Sequence, residues 1–359
     1  MTKTRSQRFT LPGNRVATMP PEARGLRRDE VRLMVAAQRG ISHTRFMDLS
    51  RHLRPGDLLV ANSSPTMAAA LAATMRGKPI KVHFSTMCDS ETWTVELRRS
   101  DDAGPITDAV RKEVVRLDAG GWLRLDAPAD GPASALARLW RASVSVPGGV
   151  AQAMQLAGEP IRYSYIEGSW PISAYQTIFA TSRAWPGSAE MPSAGRPFSR
   201  RVVASLRRAG VEIATIQLHA GVSSQEAHEA PQPEQFSVPD STVRAVRRAK
   251  AANRRVIAVG TTVTRALETA GRSGAVSAGS GWTNLVLGPN RPARIVDGLI
   301  TGWHPPEASH LELLDAVAGP ELVAAAYSAA IDGDYLWHEF GDSALFLPAA
   351  GKTSATAAA

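Results

Sequence analysis

Cysteine is almost absent: the 359-residue chain has one, Cys88. No internal disulfide can form, which suits a reducing compartment, and a cytoplasmic location is expected. Cys88 itself reads as a small buried hydrophobe or, less commonly, a lone nucleophile. No apolar run approaches the roughly 18 residues that a spanning helix needs, so no membrane association is expected. Residues 1–10 are polar and basic with no apolar segment behind them, so no secretory leader is expected. The common chemical signatures are missing as well. There is no P-loop, no GxGxxG after a strand, no CxxC, no HExxH and no GxSxG elbow, so neither a bound metal nor a standard nucleotide fold is expected.

What is present is an ordinary globular composition. Hydrophobic residues make up 44% and charged residues 21% of the chain, enough for two domains with a large core. The net charge is +8 and the pI about 10.0. That balance favours a polyanionic partner such as nucleic acid, although arginines coating surface helices give the same total. The Ala/Ser/Thr-rich end, residues 350–359, is expected to be a disordered tail.

Val31-Arg32-Leu33-Met34-Val35 and Asp57-Leu58-Leu59-Val60-Ala61 read as strands, with a short helix or turn over 46–53 between them. From about residue 72 to 154 the texture changes to short alternating runs, 80–84, 93–97, 113–117 and 122–125, separated by turn residues. This pattern predicts a small β-barrel or sandwich inserted into the first domain. Beyond it, helices alternate with strands: a helix over 198–209, a strand over 211–218, a helix capped by Asp240 or Ser241, a strand over 255–259, a helix over 262–270, and two helices broken near Gly319-Pro320. The expected fold is therefore α/β: a discontinuous main domain, 1–71 and 155–349, with the barrel inserted over 72–154.

Three strand ends carry candidate chemistry. Val259-Gly260-Thr261-Thr262 joins a strand to a helix whose free N–H groups suit a carboxylate or phosphate, and Arg265 lies one turn in. Alternatively, the threonines are only caps and Arg265 pairs with Glu268 on the surface. His219 follows the apolar strand ending at Leu218, and His304 follows Leu299-Ile300; each is an acid/base candidate or a structural histidine. Ligands collect at the carboxyl ends of strands in α/β sheets, which favours the functional reading. Asp342 is a site carboxylate or a turn former, and residues 187–195 are a binding loop or a connector.

Taken in order, these segments resemble the S-adenosylmethionine:tRNA ribosyltransferase-isomerase family of queuosine biosynthesis. The resemblance rests on Arg28-Asp29 through Val35, Asp57 through Asn62, Tyr175-Gln176-Thr177, Gly187-Ser188 through Gly195, and Leu218-His219-Ala220-Gly221. It continues through Gly260-Thr261-Thr262 with Arg265 and Glu268, Asp297-Gly298-Leu299-Ile300-Thr301, His304, and Phe340-Gly341-Asp342. It implies a cytoplasmic, monomeric transferase and isomerase that uses S-adenosylmethionine as a substrate, needs no metal, and acts on a 7-aminomethyl-7-deazaguanine in tRNA to give epoxyqueuosine. It implies catalytic roles for His219, His304 and Asp342. Substrate contacts are implied for Asp57, Asn62, Tyr175, Gly187, Ser188, Gly195 and Gly221, and for Gly260, Thr261, Thr262, Arg265, Glu268, Asp297 and Thr301.

The chain departs from the family pattern at several polar positions. Ser64-Pro65 and Ala70 replace a threonine-arginine pair and a second arginine, Arg196-Pro197 replaces leucine-histidine, and Gly302-Trp303 replaces asparagine-phenylalanine. Glu229 and Gln232 replace two histidines ahead of Glu234, with His228 adjacent, and Leu336 replaces an arginine. Fewer arginines predict weaker contacts to a tRNA backbone. Two other readings follow from these changes: an enzyme of the same fold with a small-molecule nucleoside acceptor, and an inactive ligand-binding homologue.

Overall fold

The computed structural model describes residues 9–101, 104–129, 137–181, 186–222, 232–306, 308 and 310–349. The expected disordered tail and residues 228 and 229 lie outside the described residues. β1 (Arg32–Ala37) and β2 (Gly40–Arg45) form a hairpin, a 3-10 helix spans Phe46–His52, and β3 (Leu58–Asn62) follows. The barrel then comprises β4 (Ala70–Met75), β5 (Lys78–Met87), β6 (Thr92–Arg99), β7 (Val114–Leu117), β8 (Trp122–Pro128) and β9 (Leu139–Ser145). After it come α1 (Gly149–Ala157), α2 (Arg200–Arg208), β10 (Glu212–Leu218), β11 (Glu234–Val238), α3 (Asp240–Ala251), β12 (Val256–Val259) and α4 (Thr261–Ala270). The last elements are β13 (Gly279–Thr283), β14 (Gly298–Gly302), α5 (His310–Ala318), α6 (Pro320–Asp332) and β15 (Ser343–Leu347).

Nine strands form one sheet in the order β13-β11-β10-β3-β12-β14-β15-β1-β2, parallel from β10 through β14. The central strands β3 and β12 are buried at every position, and apolar apart from Asn62, because both faces are covered. On β3, Leu58 and Val60 pack into one core with α3, α4, α5 and α6, while Leu59 and Ala61 pack into another with α2. Val256 and Ala258 of β12 point to the first core, and Ile257 and Val259 to the second, as the two-residue strand period requires. The expected α/β fold with an inserted barrel is borne out. The barrel closes in the order β4-β5-β6-β9-β8-β7, with β7 pairing back to β4. Its interior alternates as the sequence does: Val115, Leu117, Leu123 and Leu125 point inward, and Phe84 meets Trp93 edge-on with centroids 5.5 Å apart. The chain enters and leaves it side by side, through paired backbone bonds of 3.0 and 2.9 Å between Ala70 and Glu159.

One local expectation differs from the structure, and β4 has no counterpart among the expected runs. The residue preceding α3 is Pro239, with no side-chain cap; Asp240 is the first helical residue, placed where its charge favours the helix start. β4, Ala-Leu-Ala-Ala-Thr-Met, carries little strand propensity and is set by its pairing with β5 and β7.

Candidate functional site

β10, β3, β12 and β14 end beside one another, and the barrel docks across those ends. Gly221 makes the docking possible: a Cβ there would lie 2.7 Å from Ser85 Oγ and 2.9 Å from Thr86 Oγ1 of β5. The next amide, Val222 N–H, donates to Ser85 Oγ at 2.8 Å. A cavity of about 470 Å³ lies at this junction, with walls from the strand ends, the start of α4, the 187–195 segment, the barrel's Arg98 and the 338–339 turn. That volume is in the range of small-ligand sites.

Gly260 lies between β12 and α4 with φ +99°, a conformation that glycine adopts without strain. Gly260, Thr261 and Thr262 all face the cavity, so the unsatisfied amides of the ten-residue helix α4 open onto it. His304 faces it too. Its Nε2 lies 2.9 Å from Thr301 Oγ1, its N–H donates to the Tyr327 hydroxyl at 3.2 Å, and its carbonyl accepts from Trp337 Nε1 at 3.0 Å. Burial, together with His310 and His338 nearby, pushes the His304 imidazole well below its ordinary pKa. It is therefore neutral at physiological pH, the form in which an imidazole acts as a base.

Tyr175, Gly221, Arg265 and Thr301 also line the cavity. Arg265, however, is not poised for a ligand in the way its position one turn into α4 suggests. Its guanidinium pairs with Glu234 and donates to the carbonyls of Leu285, Thr283 and Gln232 at 3.1 to 3.2 Å. Nor does it pair with Glu268, whose carboxylate instead accepts the amides of Arg294, Ile295 and Val296 at 2.8 to 3.0 Å.

The other candidates stand off the cavity lining. His219 turns away, although Ala220 and Gly221 beside it are on the wall. Its Nδ1 lies 2.9 Å from Ser64 Oγ, which in turn lies 2.9 Å from Ser188 Oγ. Asn62 completes this network, donating to Leu218 O at 2.8 Å and accepting the amides of Ser64 and Leu218. The four side chains thus tie the ends of β3 and β10 to the 187–195 loop. Gly187 belongs to the same seam, since a Cβ would meet Pro65 O at 2.4 Å, and Gly195 packs on Thr177. Asp342 accepts the amides of Arg32 at 2.8 Å and Leu336 at 2.9 Å, which anchors the turn carrying His338 and Glu339. Asp57, paired with Arg255, and Asp297, paired with Lys250 at 2.7 Å, sit at the opposite ends of the strands.

Sequence reasoning did not single out as site groups much of the cavity's polar lining: Tyr163, Tyr165, Glu190, Glu339, His338 and His310. All but His310, the first residue of α5, come from segments without secondary-structure periodicity, so no pattern marks them. Arg98 was missed as well. It lies 5.1 Å over the Tyr163 ring and 3.3 Å from Glu96. Burial alone would raise the Glu96 carboxyl, but His83, Arg138 and Arg98 hold it down at about 2.

Comparison with known proteins gives one consistent result. A family model described as "Queuosine biosynthesis protein" matches residues 4–346. Among curated proteins, the S-adenosylmethionine:tRNA ribosyltransferase-isomerase of Heliobacterium modesticaldum is 34% identical, over 94% of this chain and 98% of its own length. The proteins of that name from Thermus thermophilus and Rubrobacter xylanophilus are 34% and 35% identical, with 98% and 96% of their lengths covered. The crystal structure of the S-adenosylmethionine tRNA ribosyltransferase of Thermotoga maritima superposes with a TM-score of 0.52 at 26% identity, covering 94% of this chain and 99% of that one.

Proposed function

Because the chain belongs to the queuosine biosynthesis protein family, we propose that it is an S-adenosylmethionine:tRNA ribosyltransferase-isomerase. It moves the ribosyl part of S-adenosylmethionine onto a 7-aminomethyl-7-deazaguanine in tRNA, giving epoxyqueuosine and releasing adenine and methionine. The observation that carries this reading at the site is the single cavity where the amides of α4, the neutral His304 and buried carboxylates meet. With relatives named for the tRNA reaction over nearly their whole length, a small-molecule acceptor and an inactive binder have no comparable support.

The chemistry asks for three things: positioning, a base and a proton donor for the leaving purine. The sulfonium acidifies the adjacent C5′ hydrogens, so a modest base suffices. His304, neutral and fixed through Thr301, its own backbone and the neighbouring His310 ring, is assigned that proton-transfer role. The Gly260 amide is taken by Ile300 O at 2.8 Å, so the amides at Thr261 and Thr262 hold an anionic group of the substrate. Tyr175, Gly221 and Thr301 shape the wall. His219, with Asn62, Ser64, Ser188 and Gly187, is a positioning residue for the strand ends, as are Gly195 and Glu268 for neighbouring segments. Asp342 positions the 338–339 turn, while Asp57 and Asp297 brace the far strand ends. No metal enters this scheme. A tRNA acceptor implies a cytoplasmic reaction.

The test is direct. The pure protein is incubated with S-adenosylmethionine, with and without tRNA bearing the precursor base, and free adenine is measured. Release that depends on that tRNA is expected. Release with a small acceptor, or binding without release, would replace this reading with one of its rivals.

A further inference from the structure

One wall of the cavity is built from paired tyrosines and carboxylates. Residues 163–166 form a turn, closed by Ile166 N–H donating to Tyr163 O at 2.9 Å, and the rings of Tyr163 and Tyr165 stack with centroids 5.9 Å apart. The Tyr163 hydroxyl donates to Glu190, and the Tyr165 hydroxyl donates to Glu339 Oε2 at 2.7 Å. The Tyr165 ring also stacks on the His338 imidazole, centroids 4.4 Å apart and planes 21° apart. His338 is held at φ +70°, a left-handed conformation uncommon outside glycine. Such strain persists only where the surroundings enforce it, and it concentrates at functional sites. Here Asp342 and the Gly341 N–H bond to His338 O at 3.0 Å enforce it.

Glu234 has Arg265, and Arg98 reaches the same wall over the Tyr163 ring. Among the described residues no salt bridge reaches Glu339, and Glu190 raises its carboxyl further. The cavity histidines do not supply the missing charge, because burial keeps His304, His310 and His338 neutral. A recessed carboxylate with a second one nearby is costly unless something positive arrives. The tyrosine faces are covered by one another, by His338 and by Arg98, so the Glu339 carboxylate is the group left to meet a positive centre.

We propose that Glu339 and Tyr165 form the subsite for the positively charged centre of a substrate, with ionised Glu339 as the counter-charge and the stacked tyrosine rings beside it. This rests on the reading above, which supplies two such centres: the sulfonium of S-adenosylmethionine and the ammonium of the acceptor's aminomethyl group. Burial, reinforced by Glu190 and opposed by the Tyr165 hydroxyl, raises the Glu339 carboxyl to about 7. The groups facing it are Tyr163, Tyr165, Glu190 and His338, with Tyr175 further along the wall. A bound cation therefore draws Glu339 into its ionised form, and cation binding strengthens as pH rises through neutrality.

The full-length protein is titrated calorimetrically with S-adenosylmethionine and with S-adenosylhomocysteine, which differ in the charge on sulfur, at pH 6 and pH 8. The Michaelis constant for precursor tRNA is measured by adenine release over the same range. Glu339→Gln keeps an acceptor for the Tyr165 hydroxyl. It is expected to lose roughly 10-fold or more either in preference for the sulfonium over the thioether or in tRNA affinity. The first loss assigns the subsite to the sulfonium, the second to the aminomethyl ammonium. Tyr165→Phe, which leaves the charge in place, should change both by no more than about threefold; a loss equal to that of Glu339→Gln would assign the effect to packing and overturn the proposal. If Glu339→Gln does not fold, the wild-type pH series decides, and quantities flat from pH 6 to pH 8 refute it. A folded Glu339→Gln protein with both quantities unchanged sinks the subsite and leaves the enzymatic reading intact. A wild-type protein that neither binds S-adenosylmethionine nor releases adenine removes that reading, and the subsite with it.

Discussion

The imidazoles of His304 and His310 lie face to face, ring centroids 4.6 Å apart and planes 6° from parallel. The stack disfavours two protonated rings at once, and burial pushes His310 down to about 4 and His304 well below its ordinary value. A neutral ring at a cavity wall is in the form that serves as a base. His304→Ala is expected to lower single-turnover adenine release by about 10²-fold or more. His219→Ala, whose side chain faces Ser64 away from the cavity, should lower it by less than about tenfold. Equal losses at both positions would reject the division of roles.

The same burial makes the fold acid-sensitive. His310 and His338 carry folded-state values near 4 against an ordinary 6.5. Below 6.5 the unfolded chain takes up protons that the folded protein refuses, so stability falls from there down to about 4. Glu339 works the other way: its value of about 7 lets the folded state hold a proton that the unfolded chain releases above 4.5, a stabilising effect gained as pH falls through that window. The expected result is a melting temperature that drops between pH 6.5 and 4, with a shallower drop in His338→Phe. An identical slope in that variant would show that His338 does not contribute.

Arg265 and Glu234 form a buried pair between α4 and β11. Removing one partner strands the other's charge, and Arg265→Ala also leaves the carbonyls of Leu285, Thr283 and Gln232 without their donor. A loss of about 3–5 kcal/mol is expected in urea denaturation. The double variant Arg265→Met with Glu234→Gln should recover part of it. A single variant within about 1 kcal/mol of wild type would mean that the pair is not desolvated in solution.

Gly260 is needed for its φ of +99°, since a Cβ there would make only an ordinary 3.4 Å contact with Ala194. Gly260→Ala should cost about 1–3 kcal/mol in stability and weaken S-adenosylmethionine binding measured by calorimetry. Unchanged binding in a folded variant would show that the ligand does not approach this turn.

Local pattern alone was enough for much of this protein. The apolar strands at 58–62 and 256–259, the Gly260–Thr261 helix start, the helix break at Gly319-Pro320 and the alternating barrel runs are all set by short-range periodicity and turn chemistry. The ordered motifs also placed the chain in its family. What only the tertiary structure decided is which polar side chains meet. Arg265 finds Glu234, 31 residues away, instead of the neighbouring Glu268; Tyr165 finds Glu339, 174 residues on. His219 sits at a strand end as expected but faces the Ser64–Ser188 network. Strand alternation allots neighbouring side chains to opposite faces, and which face opens on a cavity depends on how the barrel docks. Charged groups choose partners by burial and distance in space, and neither is encoded in any local stretch of chain.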